Sequence, residues 1–237
     1  MLPYKLLRQN DVRPYATYAI LAMCIGFFFW ELSIPRGQFA RTLTDVSITG
    51  CQITGQFFAP KTWVDTLRSM FLHGGFAHLF GNMLYLLIFG PAVEEYFGWK
   101  KFMGFYILAG IAAALSHVFV SSTVMQACST VPLVGASGAI AGILGGFILL
   151  YPGTKVRTMI PLFRGFGPMY DMPAIVVLGF WFVLQMISGM QVLDPQNLIV
   201  NRVAFWAHIG GFIFGAITIF IATTFVPAPD QNLTHDE

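Results

Sequence analysis

The sequence predicts an all-α membrane protein, a bundle of six transmembrane helices with a long first outer loop. Three observations predict it. Hydrophobic residues fill 56% of the 237 positions and charged residues only 10%, with a mean hydropathy of +0.69, whereas soluble globular chains carry about 25% charged residues. Six apolar stretches, 15–32, 76–93, 102–120, 135–151, 173–190 and 203–226, approach or reach the length that a spanning helix needs, which is about 17–25 residues. Turn and charge signals separate them: Pro35-Arg36-Gly37, Gly98-Trp99-Lys100-Lys101, Pro152-Gly153 and Asp194-Pro195.

The first stretch has no small-residue cleavage site, and five more spans follow it, so it reads as a retained helix and not as a signal peptide. With no internal repeat or linker, one six-helix domain over 15–226 is expected, between a short cytoplasmic N-terminal segment, 1–14, and a short cytoplasmic tail, 227–237. Lys and Arg set the orientation. With the N-terminus inside, Lys5, Arg8, Arg13, Lys100, Lys101, Lys155, Arg157 and Arg164 are cytoplasmic, against Arg36, Arg41, Lys61, Arg68 and Arg202 outside. A bacterial inner (plasma) membrane is the simplest setting. The net charge of +2 and the lack of a basic tract argue against nucleic acid as a partner. Three cysteines make no disulfide framework. Cys51 and Cys128 fall in loops on one face, where a bridge is possible, but free thiols are the expectation.

Under this alternation the second, fourth and sixth spans all begin at the outer face. Near those starts sit His73, His78 and Asn82, then Gly135-Ala136-Ser137-Gly138, then Ala207-His208. Ionisable groups inside a membrane are costly and point to function. A serine hydroxyl is a weak nucleophile that needs a base within hydrogen-bond reach, and His208 can take the Ser137 proton and later return it to a leaving amine. Gly135 and Gly138 let the chain turn beside Ser137 and let a substrate strand approach. The N–H groups of Ser137 and Ala136, at a helix N-terminus, suit a developing oxyanion. His78 and Asn82, four residues apart, share a helix face and can add side-chain donors.

Small residues recur at helical spacing: Gly138, Gly142 and Gly146 on one stripe, Ser137, Ala141 and Gly145 beside it, and Gly211 and Gly215 on the sixth span. Such stripes let helices pack backbone to backbone, which draws Ser137 toward His208. The fourth span is short, about 25 Å at the helical rise per residue, so its start is expected to lie below the outer surface. Asp65 and Asp194 are expected in loops, and Glu94 and Glu95 fall at the opposite face, with Glu94 as a cap or helix–helix tie. A Ser137–His208 dyad without a carboxylate is therefore expected. His117 reads as a structural histidine, the Phe-rich helices as lipid-facing, and Trp63, Leu67, Met70 and Phe71 as interfacial packing of the first loop.

In order along the chain, His73-Gly-Gly-Phe-Ala-His78-Leu-Phe-Gly-Asn82, Gly90-Pro-Ala-Val-Glu94-Glu-Tyr-Phe-Gly98, Gly135-Ala-Ser137-Gly138 and Ala207-His208-Ile-Gly-Gly211 resemble the motifs of the rhomboid intramembrane serine proteases. The resemblance covers nearly the whole chain. It implies the six-helix rhomboid fold, a Ser137–His208 dyad, an oxyanion hole from His78, Asn82 and the Ser137 amide, and a structural role for His73. It further implies cleavage of single-span transmembrane proteins near the outer end of their spans, after a small residue, without metal or cofactor. Two positions depart from the pattern. Val64-Asp65 stands where many relatives carry Trp-Arg, and Ala141 replaces an aromatic that stacks on the catalytic histidine in some of them, so His208 must be oriented from elsewhere.

A rhomboid-like protein that binds and escorts membrane clients without cutting them is the alternative, and retention of both Ser137 and His208 disfavours it. A transporter is expected to show repeated halves or helices broken near the midplane. Neither HExxH nor an intramembrane carboxylate pair is present for a metallo- or aspartyl protease.

Overall fold

The computed structural model describes residues 1–8, 11–124, 128–160, 167–193 and 203–228. In chain order the elements are β1 (Leu2–Leu6), α1 (Tyr15–Ser33), α2 (Arg36–Val46), α3 (Gly50–Gly55), α4 (Pro60–Ser69), α5 (Phe76–Phe97) and α6 (Trp99–Thr123), followed by α7 (Ser137–Leu150), β2 (Lys155–Met159), β3 (Met169–Pro173), α8 (Ala174–Gln191) and α9 (Phe205–Thr223). Among the described residues five helices, α1, α5, α6, α8 and α9, are long and apolar enough to cross a membrane, and α7 is a shorter apolar helix. The bundle is that of an integral, multi-pass membrane protein.

The centre of the bundle is α7. It has 14 residues, buried on nearly every side, and spans only about 21 Å of a hydrocarbon layer about 30 Å thick. Its glycines meet α9 backbone to backbone. A Cβ added at Gly215 would land on the carbonyl oxygen of Gly142, one at Gly211 on that of Gly138, and one at Gly145 on that of Phe212. Opposite this seam, Ala109 and Ala113 of α6 fill the space over Gly142 and Gly138. The spacing of small residues in the sequence thus becomes a three-helix contact. Association in lipid depends on such close approach because lipid tails are as apolar as leucine.

The remaining helices are fastened at their ends. Glu94, near the end of α5, accepts the N–H groups of Ala16 and Thr17 at 2.8 and 2.7 Å and the Thr17 hydroxyl at 2.7 Å, satisfying the first turn of α1. Gly98, at φ +73°, ends α5 and sends the chain into α6. At the same end β1, β2 and β3 form an antiparallel sheet in that order, with Lys5 opposite Arg157 and Arg157 opposite Asp171. Neither the 1–14 segment nor the connection after residue 151 was expected to hold strands. Five-residue strands carry too little periodicity to stand out beside the helical spans.

The opposite end carries α2, α3 and α4, and here several expectations are corrected. Cys51 and Cys128 form a disulfide rather than remaining free thiols, while Cys24 is buried and unbridged. The bridge closes a junction that the backbone also makes: Cys51 N–H donates to Ser129 O, Leu133 N–H to Ile48 O and Gly135 N–H to Ser69 O. Asp65 is not a loop residue. It lies on α4 with its side chain fully buried, accepting from Gln52 of α3 and from Lys61 and Arg68 of α4 itself. Met70 is core and not interface: its side chain fills the space above Gly110 of α6. The phenylalanines divide between lipid-facing positions such as Phe29, Phe119 and Phe220 and core positions such as Phe89, Phe102 and Phe147. Arg164, Asp194, Pro195, Arg202 and most of the 227–237 tail lie outside the described residues.

Candidate active site

The starts of α5, α7 and α9 converge at the end of the bundle that carries α2–α4. Gly135, at φ +123°, makes the turn before α7, and a Cβ there would lie 2.6 Å from Cε1 and 2.7 Å from Nε2 of His78. Only glycine suits both that backbone angle and that ring. Ala136 is the N-cap, and Ser137 opens the helix, so the first-turn N–H groups have no partner within their own helix.

Ser137 Oγ lies 2.8 Å from His208 Nε2. The other ring nitrogen, Nδ1, lies 2.8 Å from Oε1 of Gln185 on α8. An amide oxygen only accepts, so Nδ1 carries the proton and Nε2 is left to accept the serine hydroxyl. Trp181, one turn before Gln185, sets its ring centroid 6.0 Å from that of His208 at 34°. Thus α8 supplies what Ala141 does not. Sequence reasoning missed both residues. The available signal was Gln185 itself, a long polar side chain inside an apolar span.

Asn82 is buried, and its Nδ2 has no hydrogen-bond partner. His78 Nδ1–H donates to the His73 carbonyl at 2.8 Å. His73 in turn is held by Glu31, near the end of α1, whose carboxylate accepts the N–H of His73 at 2.8 Å and of Gly74 at 3.1 Å. The His73 ring donates from Nδ1 to Phe71 O, and burial, assisted by the neighbouring His78, pushes its pKa down to about 4. Glu31 carried no such signal in the sequence, because it lies near the end of α1 and its partner is 42 residues away. His117, read as a satisfied structural histidine, keeps Nδ1 buried without a hydrogen-bond partner.

A cavity of about 60 Å³ lies behind Ser137, lined by Ser69, Gly110, Ala113, Leu133, Gly138 and Ala207 among others. A larger cleft of about 550 Å³ between α1 and the first loop, lined by Phe27, Trp30 and Arg68 among others, touches neither Ser137 nor His208. The small cavity is the one of the two that borders Ser137. Among the described residues no group of three His, Cys, Asp or Glu side chains is arranged to hold a metal ion.

A polytopic bundle with a serine–histidine contact at one end defines a class of membrane protein. Residues 60–225 match the Rhomboid domain, and the chain belongs to the rhomboid family. It is 33% identical over 208 residues to the Rhomboid protease GluP of Bacillus subtilis (strain 168), which covers 87% of this chain and 34% of GluP. It is 32% identical over 223 residues to the Rhomboid protease AarA of Providencia stuartii, covering 89% and 73% of the two chains. RHOMBOID-like protein 7 of Arabidopsis thaliana is 24% identical over 219 residues, covering 91% and 60%. The chain therefore spans about a third of the length of GluP and most of that of AarA.

Proposed function

We propose that this protein is an intramembrane serine endopeptidase that cleaves single-span membrane proteins near the outer end of their transmembrane segments, with Ser137 as nucleophile and His208 as base. The observation that carries the reading is the 2.8 Å contact between Ser137 Oγ and His208 Nε2. Relatives named as rhomboid proteases support it, and the N-terminus is taken as cytoplasmic, in a bacterial inner membrane.

In the first half-reaction Oγ attacks the scissile carbonyl carbon while its proton passes to Nε2, and the carbonyl π pair moves onto oxygen. Collapse of that intermediate expels the amine, which takes the proton from Nε2 and leaves an ester on Ser137. Water then adds by the same route, with His208 again accepting and returning the proton. The oxyanion is met by the amides of Ser137 and Ala136 and by Asn82 Nδ2, which has no other partner; one such donor is worth about 2.7–4 kcal/mol. His78 joins them only as imidazolium, because its Nδ1 proton is already engaged by His73 O. The cavity behind Ser137, about 60 Å³ in volume, suits a small side chain before the cut.

The test combines labelling and cleavage in liposomes. A fluorophosphonate probe is expected to label Ser137, and Ser137→Ala and His208→Ala are each expected to abolish cutting of a model single-span substrate. Wild-type cleavage by the Ser137→Ala protein would overturn the reading. A folded wild type that binds the substrate but is neither labelled nor active would favour the escort alternative.

A further inference from the structure

We infer that Gln185 is the positioning residue of the catalytic base: its side-chain carbonyl holds the Nδ1 proton of His208 and so keeps Nε2 turned to Ser137 with a free lone pair. The inference rests on the serine–histidine reading and adds a third member to it, drawn from α8.

Three observations and one property of imidazole converge. The Oε1–Nδ1 distance is 2.8 Å, matching the Nε2–Oγ distance on the other side of the same ring. Neutral imidazole has one proton for two nitrogens, and the partner of one nitrogen selects the role of the other. Ala141 offers no ring to stack on His208, whereas Trp181 flanks it from the same face of α8 that bears Gln185. Further along α8, the Gly189 carbonyl accepts Trp206 Nε1–H at 3.1 Å, which ties α8 to the opening of α9 two residues before His208. Gln185 is thus held at the level of the ring.

The choice of an amide has a physical reason. A carboxylate would do the same orienting work, but an ion in this setting is expensive. Helix α8 is also thinly packed: its buried residues are Ala174, Val177, Leu178 and Gly189. A neutral acceptor selects the tautomer and partly compensates the imidazolium that forms when Ser137 attacks. The titratable groups facing His208 are His78 of α5 and His117 of α6, while α7 and α8 carry none.

The test uses Gln185→Met, which keeps length and removes the acceptor, and Gln185→Glu, which restores one. In liposomes the Met variant is expected to lose on the order of 10²-fold in kcat, the scale of general-base catalysis, with KM within about twofold because no substrate contact is removed. The Glu variant is expected to recover most of kcat and to move the acid limb of the kcat–pH profile upward, as a carboxylate beside imidazole favours its protonated form. Histidine ¹⁵N spectra give a readout independent of turnover. The resonance missing in His208→Ala should report an Nδ1–H tautomer in the wild type and a mixture in Gln185→Met. A Met variant with wild-type kcat, pH profile and tautomer would overturn the inference, as would a Glu variant no better than Met. If Ser137→Ala and His208→Ala are inactive while Gln185→Met is not, only the role of Gln185 falls; if Ser137→Ala still cuts, the serine–histidine reading falls first.

Discussion

Glu31 and His73 are joined by a 2.8 Å hydrogen bond from the His73 backbone N–H to the Glu31 carboxylate, and the second carboxylate oxygen takes the N–H of Gly74 at 3.1 Å. The end of α1 therefore holds the turn that leads into α5. Gly74 sits there at φ +65°, and the carbonyl of His73 is the acceptor for His78. One buried carboxylate thus sets the position of His78 without touching it.

Replacing Glu31 with Ala leaves the buried N–H of His73, and the more exposed N–H of Gly74, without this acceptor. An unsatisfied buried donor costs about 1–3 kcal/mol, so Glu31→Ala is expected to lower the unfolding midpoint in detergent and to slow cleavage. Glu31→Gln keeps one acceptor oxygen and should fall between Ala and wild type in both measurements.

The seam between α7 and α9 predicts a sharp contrast among glycines. Gly215→Ala forces a methyl group onto the carbonyl of Gly142, and overpacking of this kind costs about 1–3 kcal/mol. Gly179→Ala on α8 meets nothing within 4 Å and should be neutral or stabilising by up to about 1 kcal/mol through helix propensity. Unfolding of the two variants in mixed micelles checks the pair. Equal effects would mean that the seam does not limit stability.

The disulfide closes a loop between residues 77 apart in sequence. Removing such a crosslink typically costs about 2–4 kcal/mol, and Cys51→Ser is expected to do so. The same variant releases the segment whose Gly135 N–H pairs with Ser69 O, so its cleavage rate should drop as well. Non-reducing mass analysis should show a crosslinked wild type, with reduction of the wild type reproducing the variant's melting behaviour.

Acid should weaken the fold through His73. Its folded-state pKa is lowered from 6.5 to about 4, chiefly by burial. The unfolded chain therefore binds more protons than the native one between those values, and stability falls as pH drops from about 6.5 toward about 4. Above that window the contribution is complete and flat. Melting temperatures across the range check it, and a folded His73→Asn variant should show a shallower slope.

The helices that cross the membrane were legible because each is a long run with one physical requirement, burial of backbone polar groups in an apolar layer. The contact of Ser137 with His208 was legible too, from alternation of the spans and the small residues at 138, 142, 211 and 215. What stayed illegible depended on partners distant in sequence. Gln185 is one amide in an apolar helix until His208 is seen beside it, and Asp65 is an ordinary loop acid until Gln52 of α3 is seen to donate to it. Likewise Cys51 and Cys128 are two of three unremarkable thiols until the first loop folds across the segment before Ser137.

Residue type and spacing alone therefore determined the membrane bundle, its glycine seam and the pairing of a hydroxyl with an imidazole, since these follow from periodicity and from the cost of polar groups in lipid. Only the tertiary structure decided how that imidazole is aimed, by Gln185 and Trp181 from α8, and how the turn at His73 is anchored, by Glu31 from α1. The reason is that orientation is a property of hydrogen bonds between helices. Their partners lie 23 and 42 residues apart, and no local pattern encodes such a distance.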